Sequence, residues 1–196
     1  MIDGAVVIGH GPSLRAGGRG AVIDAFKYVV RFPYVGDWQA PADYGTKTSY
    51  VCATVGRARN KLRRQIPEIG YFIWNKTRGE IPPDIKALIG FFGGEDTTGL
   101  ITDWQDKMAK LKPRYPYFSH GTAAICITAH KFGLPIVVLG CENLAAGEDD
   151  PKKYHGSWYY EKRKQPSSGH DLRAERKMVD LMAKKYNTQI GFKLND

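Results

Sequence analysis

A histidine and a glutamate near the end of the chain have the types and spacing of a general base and its supporting carboxylate. His170 stands just before a segment of helical period, and Glu175 falls on the same stripe as Leu172 and Val179. An inward carboxylate needs a compensating partner, for which His170, Arg31 or a loop donor could serve. The pair therefore predicts general-base catalysis by His170 with Glu175 beside it. The alternative is a structural or exposed histidine, the commoner role of a lone histidine at a helix start.

A glycine-rich turn near the start of the chain has the composition of a phosphate-binding loop. The sequence Gly9-His-Gly-Pro-Ser-Leu14 directly follows an apolar run. Glycines let a backbone approach a ligand closely, and free N–H groups can bind phosphate. The turn lacks both the Gly-Lys-Ser/Thr of a Walker A loop and the third glycine of a dinucleotide fingerprint. A tight turn without a ligand is the alternative. We predict that this turn binds a nucleotide-activated donor, the substrate from which a group would be transferred. The residues predicted to bind this donor are Gly9, His10, Gly11, Pro12 and Ser13, together with Arg31.

A second small-residue segment, Ser119-His-Gly-Thr122, precedes an apolar helical stretch. Hydroxyls and unpaired N–H groups at a helix N-terminus favour an anion, so Ser119, His120, Gly121 and Thr122 are also predicted to bind the donor. A plain helix cap at Ser119 or Thr122 is the alternative, and for an isolated segment of this kind it is the more frequent one.

An aromatic and basic stretch lies between these segments and the final helix. Residues 142–169 have no clear period and are predicted to form an active-site loop or lid. Their phenol hydroxyls can donate to a departing phosphate and their rings can hold a base or a sugar, although they could also simply anchor the loop. The residues singled out are His155 for the donor and Tyr159 and Tyr160 for catalysis, with Tyr154 and Trp158 nearby.

The elements that must position these residues alternate between strands and helices. Short β-branched runs predict buried strands, and apolar residues at helical spacing predict helices. The alternation predicts an α/β fold, a single three-layer Rossmann-like domain over residues 1–196 with a mostly parallel sheet. Residues 87–92 are ambiguous. The predicted strands are residues 5–8, 28–32, 49–54, 71–74, 136–139 and 188–192, and the predicted helices are residues 100–111, 121–132 and 171–186.

The composition excludes some classes of protein, and its one unusual property is a high net positive charge. The chain has 196 residues and a net charge of +9, which predicts either a solvated basic surface or an anionic partner. It has no apolar run of membrane-spanning length and no signal-like start, and its three cysteines are widely spaced, so we expect a cytoplasmic protein. No cluster has metal-ligand spacing, and we expect neither a metal nor a cofactor. The basic residues concentrate in residues 57–64 and 152–164.

The order of these segments resembles that of the sialyltransferases, both the animal-type enzymes and the shorter bacterial ones. The matching segments are residues 5–54, which include Asp43-Tyr-Gly-Thr-Lys-Thr48, residues 119–140, the sequence Trp158-Tyr-Tyr-Glu161, and His170 with Glu175. The resemblance implies a Rossmann-like glycosyltransferase that acts by metal-independent displacement with inversion. It also implies a site for the cytidine monophosphate part of the donor, leaving-phosphate contacts and an acceptor base. These roles fall on Gly9, Gly11, Ser13, Ser119, Gly121 and Thr122 for the donor, Tyr159 and Tyr160 for the phosphate, and His170 for the base.

The chain departs from that family at donor-site positions. His10 and Pro33 stand where the family has asparagines, His120 stands within the second segment, and the cysteine pair of the animal enzymes is absent. An asparagine amide can both donate hydrogen bonds to a nucleotide and accept them from it, and these amides are missing here. The resemblance therefore implies transfer chemistry more strongly than a particular nucleotide or sugar. Two alternatives stay open: a glycosyltransferase acting on modified bases in DNA, and a non-catalytic nucleotide or nucleic-acid binding protein of the same fold. The acceptor and the oligomeric state are not determined by the sequence.

Overall fold

The computed structural model describes residues 1–9, 11–14, 17–32, 40–55, 69–74, 83–91, 93–147 and 170–194. Their strands form one seven-stranded parallel sheet in the order β5-β4-β3-β2-β1-β6-β7. The strands are β1 (Ile2–Ile8), β2 (Phe26–Arg31), β3 (Tyr50–Thr54), β4 (Gly70–Trp74), β5 (Glu95–Asp96), β6 (Ile136–Leu139) and β7 (Ile190–Gly191). The helices are α1 (Gly20–Ala25), α2 (Pro41–Tyr44), α3 (Pro83–Phe91), α4 (Thr98–Ala109), α5 (His120–Phe132), α6 (Glu142–Ala146) and α7 (Leu172–Lys185), and Pro12–Leu14 is a 3-10 turn.

Helices cover both faces of this sheet because the strands are apolar on both sides. In β1, Ala5 and Val7 face one core and Val6 and Ile8 face the other, as the alternation of side chains along a strand requires. The first core is completed by α4, α5 and α7, and the second by α1, α2 and Leu14. The predicted α/β fold with a parallel sheet is confirmed.

The order of the strands reverses between β1 and β6, and we call the region beyond the carboxyl ends of these two strands the crevice. The chain passes from β1 through β2, β3 and β4 to β5 on one side, and then returns to place β6 on the other side of β1. Ligands of open α/β sheets bind at such a reversal, beyond the carboxyl ends of the strands. The turns after β1 and β6 meet there, since the Gly9 N–H donates to Leu139 O at 2.7 Å and the Gly11 N–H donates to Gly140 O at 2.8 Å.

Three local expectations need correction or completion. The loop predicted for residues 142–169 begins with helix α6, which is followed by Gly147 in the left-handed region, and residues 148–169 lie outside the described part of the chain. Its five residues are too few to show a period. The ambiguous residues 87–92 fall largely in helix α3, and the two-residue strand β5 was not predicted.

Candidate active site

Glu175 is the buried centre of the candidate site. It lies on the inward face of α7 and is 0% exposed, as the stripe predicted. One oxygen, Oε2, accepts hydrogen bonds from the Ser119 N–H at 2.9 Å, from Ser119 Oγ at 2.6 Å, and from the Thr122 hydroxyl. A buried carboxylate tolerates the loss of water only when such donors replace it. Its other oxygen, Oε1, is thereby directed toward His170.

His170 meets this carboxylate through one ring nitrogen. Its Nδ1 lies 3.4 Å from Glu175 Oε1 and 3.3 Å from the carbonyl oxygen of Tyr117. Both neighbours are acceptors, so they favour a proton on Nδ1. The side chain is 21% exposed. A carboxylate beside Nδ1 can orient a histidine ring and would stabilise an imidazolium.

The start of α7 is held in place by Asp171. Its carboxylate caps the helix by accepting the Ala174 N–H at 3.0 Å, and it also accepts the Arg114 N–H at 2.9 Å. Burial raises the pKa of Asp171, but these two hydrogen bonds, together with the charge and the backbone N–H of Arg173, outweigh burial and leave the pKa below its ordinary value. Asp171 therefore connects the segment before α5 to the start of α7, directly beside His170.

Ser119 and Thr122 serve Glu175 and the cap of α5. Ser119 is the N-cap residue, accepting the Thr122 N–H at 3.2 Å, which is the plain-cap alternative considered above. Thr122 is fully buried. Their hydroxyls thus point to the carboxylate, and direct donor contacts by these two residues stay a prediction.

The other two residues of this segment lie at the same helix start. Gly121 lies beside Cys141, where an added methyl group would be 3.4 Å from the sulfur. The His120 ring packs edge-on against Trp74 and Phe32, with ring centroids 5.5 Å and 6.1 Å away. These contacts place His120 at the carboxyl ends of β2 and β4, and a donor contact by it is untested.

The glycine-rich turn is closely packed and holds a residue that the sequence reasoning missed. A methyl group at Gly9 would lie 2.2 Å from the carbonyl oxygen of Gly140. One at Gly11 would lie 1.6 Å from Oε2 of Glu142, whose Oε1 accepts the Ser13 N–H at 2.9 Å. The only signal in the sequence is that an acidic residue follows β6 at the predicted switch between strands. Because they have no side chain, Gly9 leaves room for the turn after β6 and Gly11 leaves room for the Glu142 carboxylate.

Arg31 does not compensate Glu175, contrary to one of the sequence-based possibilities. It donates from Nε to Lys47 O at 3.0 Å and from Nη2 to Tyr44 O at 2.6 Å. Along β2 it alternates with Val30, which lies in the core containing α7, so Arg31 points to the opposite face of the sheet. Burial lowers the pKa of Arg31 to about 10, against the opposing effect of Asp24. Its role in the described contacts is to hold the segment after α2.

Cys141 is close enough to both carboxylates, Glu142 and Glu175, for their charges to act on its thiol. Burial, and then the negative charges of Glu142 and Glu175, raise the pKa of its thiol to about 12. All three cysteines are free thiols. Among the residues that the structure describes, no group of three His, Cys, Asp or Glu side chains converges as metal ligands, and none of the described helices is long and apolar enough to cross a membrane.

Several predicted site residues are in parts of the chain that the structure does not describe. His10, Pro33, His155, Tyr159 and Tyr160 lie outside the described residues, as do the basic segments 57–64 and 152–164. Pro12 begins the 3-10 turn. The described part of the site therefore combines the turn after β1, the start of α5, the turn after β6 and the start of α7.

This fold and the crevice at its strand reversal define an α/β protein of the Rossmann-like class. Known structures narrow the class. A crystal structure of a mammalian sialyltransferase matches with a TM-score of 0.61 and 17% identity, over 95% of this chain and 67% of the other. A second, in complex with Gal-beta-1-3GalNAc-ortho-nitrophenol, matches with the same TM-score and identity over 95% and 68%. No protein-family profile and no curated protein sequence matches the chain. The chain thus has a sialyltransferase-like glycosyltransferase fold.

Proposed function

We propose that the protein is a metal-independent, inverting glycosyltransferase that moves a sugar from a CMP-sugar, or a related nucleotide sugar, to an acceptor hydroxyl. The observation that carries this proposal is the contact of His170 Nδ1 with the buried Glu175 carboxylate at 3.4 Å. In such an arrangement the second ring nitrogen is the atom that takes up the proton of the acceptor. The sialyltransferase-like fold supports the choice of reaction, and the site at the strand reversal supports a nucleotide-linked donor.

The proposed reaction is a single displacement at the sugar carbon. His170 Nε2 takes the proton of the acceptor hydroxyl as its oxygen attacks that carbon from the side opposite the phosphate. The new carbon–oxygen bond forms as the bond to the nucleotide phosphate breaks, so the configuration inverts and the nucleoside phosphate leaves with the electron pair. Glu175 stabilises the imidazolium that results. General-base assistance of this kind accelerates reactions by about 10²–10⁴-fold.

The compartment and the partners are also part of the proposal. Three free cysteines suit a reducing compartment, so we propose a cytoplasmic protein. The donor is an anionic nucleotide, and the acceptor carries a hydroxyl group.

A thermal-shift panel of nucleoside mono- and diphosphates tests the donor class. A ligand that binds only the folded state raises its stability, by about 2.7 kcal/mol at a hundredfold excess over Kd. We expect CMP to raise the melting temperature more than the other nucleotides. A panel in which no nucleotide changes the melting temperature would contradict the proposal.

A donor–acceptor screen then separates catalysis from binding. Release of the nucleotide together with a glycosylated acceptor supports a transferase. Nucleotide binding without transfer or donor hydrolysis across the screen would identify a non-catalytic binding protein instead. Transfer to hydroxymethylated bases in duplex DNA alone would identify DNA as the acceptor.

A further inference from the structure

The carboxylate of Glu142 fills the space that a glycine leaves in the turn after β1. A methyl group at Gly11 would meet three atoms of this carboxylate, at 1.6, 2.4 and 2.7 Å. The carboxylate therefore lies directly against the Gly11 backbone, and Oε1 accepts the Ser13 N–H at 2.9 Å. In a phosphate-binding loop, this space and this N–H group belong to the ligand. Here a negative side chain of the protein holds both.

The other backbone donors of the turn are already used. Among its described residues, Gly9 N–H donates to Leu139 O, Gly11 N–H to Gly140 O, and Leu14 N–H to Gly11 O at 3.4 Å. Proline at position 12 has no N–H to offer. The Ser13 N–H is thus the described donor that could face a ligand, and Glu142 accepts it. The expectation that free N–H groups of this turn bind phosphate does not fit the described contacts.

We propose that Glu142 excludes phosphate from the glycine-rich turn and makes this end of the site accept a hydrogen-bond donor, such as a hydroxyl or an amine of the nucleoside. A carboxylate repels a phosphate at close range and accepts hydrogen bonds from neutral donor groups. Glu142 is only partly buried, and its described hydrogen bond, from the Ser13 N–H, uses one of its two oxygens. Glu142 is therefore a specificity-determining residue for the orientation of the donor.

This assignment rests on the proposed function and adds a direction to it. With the uncharged end of the donor at Glu142, its phosphate lies on the side of the crevice where α5 begins and His170 stands. The displacement requires this order, because the sugar carbon attacked with the help of His170 is bonded to that phosphate.

Glu142→Gln tests the assignment because it keeps the shape of the side chain and removes its charge. Titration calorimetry with inorganic phosphate, at fixed ionic strength, should show at least about tenfold tighter binding to this variant than to the wild type, equivalent to about 1.4 kcal/mol. Cytidine offers hydroxyl and amine donors without a phosphate, and it should bind the variant at least about fivefold more weakly. Glu142→Ala, which removes the carboxylate altogether, should change both affinities in the same directions.

Glu95→Gln is the matched control. It changes the net charge equally, but Glu95 pairs with Lys131 on the surface, away from the crevice. It should bind both probes as the wild type does. Equal phosphate affinities of the wild type and folded Glu142→Gln or Glu142→Ala would overturn the assignment, as would an equal gain in Glu95→Gln or unchanged cytidine binding. The phosphate measurement needs no nucleotide, so it decides the role of Glu142 even if CMP fails to bind and the proposed function fails.

Discussion

At the scale of residues, the site depends on a carboxylate that is buried with its own set of donors. Glu175 takes three hydrogen bonds on one oxygen and faces His170 with the other. The helical period predicted its inward position, because an isolated stripe in the sequence is enough to say which side chains face a core. The donors could not be predicted, since Ser119 lies 56 residues away and meets Glu175 only when α5 and α7 pack.

The hydroxyl of Thr122 should contribute to stability because it bonds this buried carboxylate. Thr122→Val keeps the shape of the side chain and removes one donor, so we expect the free energy of unfolding to fall by about 1–3 kcal/mol. Thr128→Val is the matched control, since Thr128 is fully buried in the same helix and its hydroxyl has no hydrogen-bond partner among the described residues. Urea unfolding should show little change or a gain for the control. Equal losses in both variants would contradict the role of Thr122.

Glu142 marks the limit of prediction at this scale. Its position depends on the register of β1 against β6, which pairs Ile8 with Leu139 and brings the two following turns together. Nothing local to Glu142 indicates that contact. The glycines of the turn were predicted to let the backbone approach a ligand, whereas the groups that approach them in the structure belong to the protein.

At the scale of elements, the turn after β1 is fixed by backbone that has no room to move. Its sequence predicted a tight turn after a strand, and the structure confirms it because Gly9 packs on the carbonyl of Gly140. The short elements were missed for a physical reason. Helix α6 and strand β5 have five and two residues, and such elements are selected by their neighbours in the fold.

Two glycine substitutions separate close packing from simple chain flexibility. Gly9→Ala should lower the free energy of unfolding by at least about 2 kcal/mol, because its methyl group would lie 2.2 Å from a backbone oxygen. Gly90→Ala, in α3 with open space around it, should instead raise stability by about 0.5–1 kcal/mol. Thermal and urea unfolding measure both changes. A Gly9→Ala variant as stable as the wild type would show that the two turns do not meet as described.

At the scale of the whole molecule, the alternation of strands and helices in the sequence predicted the parallel sheet. This prediction did not depend on a matching family profile, since none matches the chain. A fold depends on which positions are buried and on the order of its elements, and both can persist at 17% identity. The identity of a donor or an acceptor depends on a few side chains, several of which lie outside the described residues. The fold was therefore more predictable than the ligand.

Acid should lower the free energy of unfolding, because protonation removes the hydrogen-bonded carboxylate of Asp24. Burial raises the pKa of Asp24, but hydrogen bonds from Thr46 and Lys47 and the charge of Arg31 together outweigh burial, so its folded pKa lies below the ordinary value of 3.8. The stability that Asp24 contributes is therefore present above about pH 4 and is lost as the pH falls through the lowered pKa. Asp24→Asn should destabilise the protein at pH 7 and much less near pH 2. The exposed Asp180, which pairs with Arg176, gives the control variant Asp180→Asn. A pH-independent loss in Asp24→Asn would contradict this reading.

The most direct test of the central claim is the release of CMP from CMP-sialic acid in the presence of a panel of hydroxyl acceptors. The wild type should release CMP and glycosylate an acceptor, and His170→Ala should be slower by at least about 100-fold. The same variant should keep the thermal stabilisation by CMP, because the proposed role of His170 is on the acceptor and not on the nucleotide. Turnover by His170→Ala at the wild-type rate would contradict the account.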